Sequence, residues 1–125
     1  MLLYQGFLLF KNINWDNFKG DIEDIKEALD IIIRNTGIWY YQETISVNTS
    51  TVNKRAEYWV NLINEITILF QDNKISYIGG KVAFADDDKR GFLFIKEKHL
   101  LVVYINEDGT TFTKEYQLGN SEKLV

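Results

Sequence analysis

Two neighbouring segments of this sequence are apolar at every position, and this feature constrains the fold more than any other. The segments are residues 92–95 and 100–105, and four polar residues separate them. Successive side chains of a β-strand point to opposite faces of a sheet. A strand that is apolar at odd and at even positions therefore needs cover on both faces. The two segments predict adjacent strands at the centre of a sheet whose two faces must both be buried.

The sequence after residue 74 predicts four antiparallel strands joined by tight turns. The predicted strands are residues 75–85, 91–96, 99–106 and 110–118. Gly79 and Gly80 indicate a bulge, and Gly109 supplies the positive φ that a turn after Asp108 requires. Residues 111–118 alternate between apolar and polar side chains, which is typical of a strand at the edge of a sheet.

Apolar residues at helical spacing predict a first helix from Asp21 to about Thr36. The residues of its apolar arc are Ile22, Ile25, Leu29, Ile32 and Ile33. Asp21 is placed to cap the free amides at the start of this helix, and acidic residues in the first turn suit the helix dipole. Gly37 can take the left-handed conformation that commonly ends a helix.

The region from residue 56 to residue 78 allows two interpretations. A helix is favoured by apolar residues that recur at helical spacing: Ala56, Trp59, Ile63, Ile66 and Phe70. Ile68, however, falls in the polar arc of that helix. The alternative is a helix that ends near Asn64, followed by a hairpin of residues 66–70 and 75–78. We prefer the helix.

Two further strands are predicted in the first half of the chain. Residues 2–13 are rich in aromatic and aliphatic side chains, and residues 38–48 alternate as one half-buried strand would. The element order is then β-α-β-α followed by the four-stranded antiparallel meander. It predicts an α+β fold in a single domain, with two helices packed on one face of a curved sheet.

Two amphipathic helices are enough to cover one face of such a sheet. The second face is left to the sheet curling on itself, to the N-terminal strand, or to another molecule. Exposed apolar patches larger than a few hundred Å² mark interaction sites. The surplus of apolar strand surface is therefore a functional clue.

The net charge of the chain is concentrated in one short segment. The chain has 125 residues and a formal net charge of −4, and residues 16–30 carry that whole excess. The acidic residues of the segment are Asp16, Asp21, Glu23, Asp24, Glu27 and Asp30. On the helical wheel, Glu23, Glu27 and Asp30 lie opposite the apolar arc together with Arg34, and Ile31 lies at the margin of this acidic stripe.

The basic residues are scattered rather than clustered, as in the pairs Lys54–Arg55 and Lys89–Arg90. Nucleic-acid-binding proteins concentrate basic residues on one face, so direct nucleic-acid binding is not expected. The chain has no run of about 18 apolar residues, and its first residues lack the basic flank of a signal peptide. Together with the absence of cysteine, these features predict a cytoplasmic protein that does not contact membranes.

The sequence offers no recognisable catalytic or metal-binding motif. Zero cysteines and a single histidine, His99, exclude thiolate catalysis and His- or Cys-rich zinc sites. His99 has no local serine or aspartate motif beside it. The segment Asp86–Asp88 is the candidate for Mg²⁺ or Ca²⁺, but three carboxylates before Lys89 are typical of a solvated turn. A binding protein is thus favoured over an enzyme, and no metal ion or cofactor is expected.

These observations favour a small intracellular protein-binding module. Its class would be an inhibitor, of the immunity or anti-defence type, that blocks a basic nucleic-acid-handling protein by presenting carboxylates in place of phosphates. Trp15 and Tyr40 are the aromatic residues least committed to the core, and they are the candidate anchors. The full set of candidate partner-binding residues is Trp15, Asp16, Asp21, Glu23, Asp24, Glu27, Asp30 and Tyr40.

Two alternatives belong to other functional classes. One is a ligand-binding or enzymatic α+β domain with a pocket between the sheet and the second helix. The residues expected to line that pocket are Tyr58, Trp59, Tyr77 and Phe84. The other alternative is a structural subunit that forms a homodimer through the apolar face of its sheet.

Overall fold

The computed structural model of the chain describes residues 7–33, 37–41, 44–48, 56–77, 79–85 and 90–120. The elements of this part are β1 (Phe7–Phe10), α1 (Ile22–Ile33), β2 (Gly37–Tyr41), β3 (Thr44–Asn48), α2 (Ala56–Asp72), β4 (Gly80–Ala85), β5 (Arg90–Lys96), β6 (His99–Ile105) and β7 (Thr111–Gln117). Strands β1 to β3 form a sheet in the order β1-β3-β2, and the later strands form an antiparallel sheet in the order β4-β5-β6-β7. The predicted α+β class and four-stranded meander are confirmed.

The single strand predicted at residues 38–48 is wrong, because the chain reverses within it. β2 and β3 pair antiparallel with Tyr41 opposite Thr44, so the two strands form a hairpin. β3 also pairs with β1, which places β3 at the centre of the three-stranded sheet. No glycine, asparagine or proline stands between Tyr41 and Thr44 to signal a turn. The alternation of residue types therefore continues through the reversal and hides it.

α1 begins where the sequence predicts, and Asp21 caps its first turn. The amide N–H of Glu23 donates to Asp21 Oδ1 at 3.0 Å, which satisfies one of the amides left free at the start of a helix. The expectation that Gly37 ends the helix in a left-handed conformation is wrong. Gly37 is instead the first residue of β2 and is paired with Asn48.

α2 is one continuous helix from Ala56 to Asp72, so the hairpin alternative is wrong. Ile68, the residue that raised this alternative, is half-buried. Part of the polar arc of the helix is thus covered by its surroundings. Beyond the helix, Lys74 adopts a left-handed conformation with φ of 58°, and the Ile75 N–H donates back to the Phe70 carbonyl at 2.8 Å.

The first strand of the meander is shorter than predicted, because β4 begins at Gly80 rather than at residue 75. Ser76 instead forms an isolated antiparallel bridge with Asn14. The Lys11 N–H also donates to the Gly79 carbonyl at 3.4 Å. The residues before β4 therefore tie the segment after β1 to the four-stranded sheet.

One apolar core joins both helices to one face of the four-stranded sheet, which we call the inner face. The inner face contributes Leu93 and Ile95 from β5 and Leu100, Val102 and Tyr104 from β6. The helices contribute Ile25, Leu29, Trp59, Val60, Leu62, Ile63, Ile66 and Phe70. The expectation that Trp59 is a core residue is confirmed.

The opposite face of the same strands, which we call the outer sheet face, carries exposed apolar side chains. Phe92, Phe94 and Leu101 are 43%, 42% and 38% exposed. On this face, residues of β5 pair with residues of β6: Phe92 lies opposite Val103, and Phe94 lies opposite Leu101. In the part of the chain that the structure describes, no helix or strand packs on this face. Among the described residues, the two all-apolar segments are thus buried on the inner face and only partly covered on the outer sheet face.

β7 is an edge strand, as its alternating sequence predicts. Lys114 in its middle is opposite Val102, so this charged residue lies on the core-facing side of the sheet at its rim. Its Nζ lies 5.8 Å from the centroid of the Tyr104 ring. Phe112 on the same side stacks on that ring, with centroids 4.5 Å apart and an angle of 9° between the planes.

Candidate functional site

The acidic residues of the first third of the chain form one exposed surface, which we call the acidic surface. It consists of Asp16, Asp21, Glu23, Asp24, Glu27 and Asp30, and all six residues are exposed. Lys26 neutralises part of it, because Lys26 Nζ lies 3.3 Å from Glu23 Oε1. Within the described part of the chain, Asp24, Glu27 and Asp30 have no ion-pair partner. The carboxylates on the outside of α1 are therefore available to a partner.

Ile31 is an exposed apolar residue beside the acidic residues of α1. It lies one helical turn after Glu27, and around the helix it falls between Glu27 and Asp24. Its side chain is 70% exposed, whereas Leu29 two residues earlier is in the core. An exposed apolar residue next to carboxylates is an arrangement found in protein interfaces.

The two aromatic candidates of the sequence differ in where they lie. Trp15 is half-buried and packs against the core, and its ring meets that of Phe18 edge to face with centroids 6.0 Å apart. Asp16 beside it is held by a bond from its own N–H to Asn14 Oδ1 at 2.8 Å. Tyr40 lies in β2 opposite Ile45, and its side chain is outside the described part. The structure thus brings Trp15 and Asp16 to the start of α1 but does not place Tyr40 there.

A cavity of about 890 Å³ opens beside the C-terminal end of α2. It is lined by the loop before α1, by the last turns of α2 and the residues that follow it, by the turn between β5 and β6, and by the end of β7. Of the four residues expected to line a pocket, Tyr77 lines this one. Trp59 is in the core, Tyr58 packs edge to face on it, and the side chain of Phe84 is outside the described part. The expected pocket is therefore displaced towards the end of the helix.

Two buried hydroxyl groups form part of the cavity wall. Thr67 Oγ1 donates to the Ile63 carbonyl at 2.8 Å and lies 2.7 Å from the Tyr77 hydroxyl oxygen. Because the threonine proton is used by that carbonyl, Tyr77 donates to Thr67. Burial is the largest cause of the shift and raises the pKa of Tyr77 to about 12. The phenol is therefore neutral at physiological pH.

The chemistry-bearing residues singled out by the sequence do not assemble into a catalytic or metal site in the described part. His99 is exposed at the start of β6, with Nδ1 3.4 Å from Glu115 Oε1. The described ranges contain no cluster of three His, Cys, Asp or Glu residues that would hold a metal ion. Asp86–Asp88, the metal candidate of the sequence, lies outside them.

Comparisons with known proteins do not indicate a function for this chain. No family model, no curated protein and no solved structure matches this chain. Neither of the described helices is long and apolar enough to cross a membrane. The features that remain to carry a functional argument are the acidic surface with Ile31, the outer sheet face and the cavity.

Proposed function

We propose that this chain is a protein-binding module that contacts a basic partner through the acidic surface of α1. The observation that carries the proposal is the 70% exposure of Ile31 on the same helix as the exposed Asp24, Glu27 and Asp30. Binding energy at protein interfaces is concentrated in a few central apolar residues, and polar groups around them exclude water and set specificity. Ile31 supplies the centre of such a site, and Asp24, Glu27 and Asp30 supply its rim.

The same carboxylates define the chemical class of the partner. Because the excess negative charge of the chain lies in residues 16–30, it creates a directed field that accelerates association with a positively charged surface. Carboxylates spaced along a helix can occupy the positions that phosphates take on a nucleic-acid-binding protein. The proposed partner is therefore a nucleic-acid-handling protein, and the proposed effect of binding is inhibition by blocking its basic surface.

The proposal is tested by reversing three rim charges together, as Asp24→Lys, Glu27→Lys and Asp30→Lys. Partners captured on the immobilised wild-type chain are identified, and their association rates are measured at low and at physiological salt. We expect the triple variant to associate at least tenfold more slowly at low salt, with a smaller difference at physiological salt because of screening. Ile31→Ala should leave the association rate unchanged and raise the dissociation rate about tenfold.

The matched control changes the net charge equally at exposed positions outside the acidic surface: Glu65→Lys, Asp72→Lys and Glu107→Lys. If the charges on α1 steer association, this control should change the association rate only slightly. Equal association rates for the two triple variants would mean that total charge, rather than the acidic surface, governs binding. That result would reject the proposal.

The outer sheet face favours a second candidate function, a structural subunit that pairs with a second copy of itself. Its three exposed apolar side chains, Phe92, Phe94 and Leu101, are contiguous on neighbouring strands. Face-to-face packing of two such sheets would bury them in a sandwich. Sedimentation at nanomolar and at micromolar concentration distinguishes the candidates, because a monomer at both concentrations excludes the homodimer.

A further inference from the structure

We propose that the cavity at the end of α2 is a binding site for a small phosphorylated molecule of nucleotide size. This site shares no residue with the acidic surface, and the inference does not depend on the protein-binding function. Its volume of about 890 Å³ lies within the range of small-molecule pockets. A single phosphate ion is much smaller than this, so the ligand carries an organic body beside its anionic group.

Positive charge converges on the cavity from three loops. Lys19 comes from the loop before α1, Lys74 from the end of α2, and Lys98 from the turn between β5 and β6. Of the described residues that line the cavity, these three lysines and His99 are basic, and Glu97 alone is acidic. The chain as a whole has a net charge of −4, whereas the lining of the cavity has more basic than acidic residues. It favours an anionic ligand.

Lys74 occupies a backbone position that a lysine does not favour. Its φ of 58° is left-handed, and glycine is the usual residue at this point after a helix. Glu97, which also lines the cavity, has a φ of 56°. Residues held in such conformations cluster at ligand-binding sites. The left-handed backbone of Lys74 serves the C-cap of α2, because it lets the Ile75 N–H donate to the Phe70 carbonyl at 2.8 Å.

Capping of α2 uses the backbone of Lys74 but not its side chain. The last carbonyls of a helix lack partners within it, but here backbone and side-chain groups already satisfy them. The Asn73 side-chain amide donates to the Leu69 carbonyl at 2.8 Å, and the Lys74 N–H donates to the Gln71 carbonyl at 3.1 Å. Both bonds leave the Lys74 ammonium group unused. Within the described part of the chain it forms no ion pair.

The wall of the cavity suits the uncharged part of the ligand. Phe70, Ile75 and Tyr77 contribute apolar surface, and the Tyr77 phenol remains neutral with its proton directed to Thr67. A phenolate at this position would repel an anion, whereas the neutral ring accepts a flat organic body beside it. The lysines stand at the ends of the three loops and would hold the phosphate. The site therefore has a cationic end for the phosphate and an apolar end for the organic body of the ligand.

The experiment measures the binding of defined probes to the wild-type chain by NMR titration and thermal shift. The probes are AMP and GMP, adenosine without phosphate, ribose 5-phosphate without a base, and inorganic phosphate. We expect the nucleotides to bind best and adenosine at least tenfold more weakly. Perturbed resonances should include Tyr77 and Lys98. Failure of every phosphorylated probe to bind at millimolar concentration would overturn the proposal.

Charge removal tests which lysines form the site. Lys19→Gln, Lys74→Gln and Lys98→Gln should each weaken nucleotide binding about tenfold, the effect expected for losing one charged contact. Lys81→Gln is the matched control, because Lys81 is exposed on β4 and does not line the cavity. Equal affinity of the control and the three cavity variants would contradict the proposed site.

Lys74→Gly separates a binding role from a structural one. Glycine relieves the left-handed backbone, so the melting temperature should rise by about 4 °C while nucleotide affinity falls about tenfold. A purely structural lysine would give no loss of affinity. Because this variant is expected to fold at least as well as the wild type, unchanged nucleotide affinity in Lys74→Gly would overturn the role assigned to Lys74.

Discussion

Asn64 shows at the scale of one residue why a polar position on a helical wheel need not be exposed. The sequence places it in the polar arc of the second helix, yet its side chain is 3% exposed. Its Nδ2 donates to the Asn120 carbonyl at 2.9 Å, and its Oδ1 accepts from the Gly119 N–H at 2.8 Å. Both partners lie more than 50 residues away in the chain. Local periodicity contains no information about such a contact, so the sequence alone did not predict it.

Tyr77 makes a testable prediction about stability at high pH. Its pKa is raised to about 12 in the folded chain, compared with an ordinary value of 10.0. Above pH 10 the unfolded state therefore loses the phenol proton before the folded state does, and the free energy of unfolding falls as pH rises. We expect Tyr77 to contribute a loss of about 2 kcal/mol by pH 12. Denaturant unfolding at a series of pH values measures it.

The control for this prediction is Tyr77→Phe, which removes the titrating group and keeps the ring. This variant should lose about 1 kcal/mol at neutral pH, because Thr67 Oγ1 loses its donor. It should then show a shallower fall in stability above pH 10 than the wild type. Burial raises the pKa of Tyr58, Tyr104 and Tyr116 as well, so the comparison is between the two slopes. Identical slopes would contradict the assignment to Tyr77.

At the scale of the element, long amphipathic patterns were predictable and a short reversal was not. The spacing of the apolar residues is sufficient to predict α1 and its cap at Asp21, and the punctuated strands are sufficient to predict the meander. The hairpin of β2 and β3 fails because its turn carries no glycine signal. Hydrophobic period reports which side of an element is buried; it does not report where an extended chain turns back.

α1 offers a paired prediction that separates packing from binding within one helix. Leu29→Ala removes a core side chain and should lower the free energy of unfolding by about 3 kcal/mol. Ile31→Ala, two residues on, changes an exposed side chain and should alter stability by less than about 0.5 kcal/mol. Denaturant unfolding of both variants provides the measurement. A large loss for Ile31→Ala would mean that Ile31 serves the fold and not a partner.

At the scale of the whole molecule, the demand for apolar cover was predictable, but the grouping of charges in the cavity was not. The apolar composition of residues 92–95 and 100–105 indicates that helices on one face are not enough to cover the sheet. The exposed side chains of the outer sheet face agree with this prediction. The cavity lysines come from loops that only the tertiary fold brings together. In the sequence they are ordinary solvated residues, and no spacing rule connects them.

The outer sheet face yields a prediction for the behaviour of the whole molecule in solution. If this face associates, Phe94→Thr together with Leu101→Thr should shift sedimentation towards the monomer and leave stability nearly unchanged, because both side chains are exposed in strands. Phe112→Thr is the control, since Phe112 is 38% exposed but lies on the inner side. Equal sedimentation of the double variant and the control would exclude association through the outer face.

Lys114 determines the direction in which such association can proceed. A further strand added alongside β7 would bring its own side chains against the Lys114 ammonium group on the inner face, and charged residues pointing inward on edge strands are a known barrier to this kind of growth. The barrier confines contact to the broad plane of the sheet. Growth alongside β7 into fibrils is therefore disfavoured.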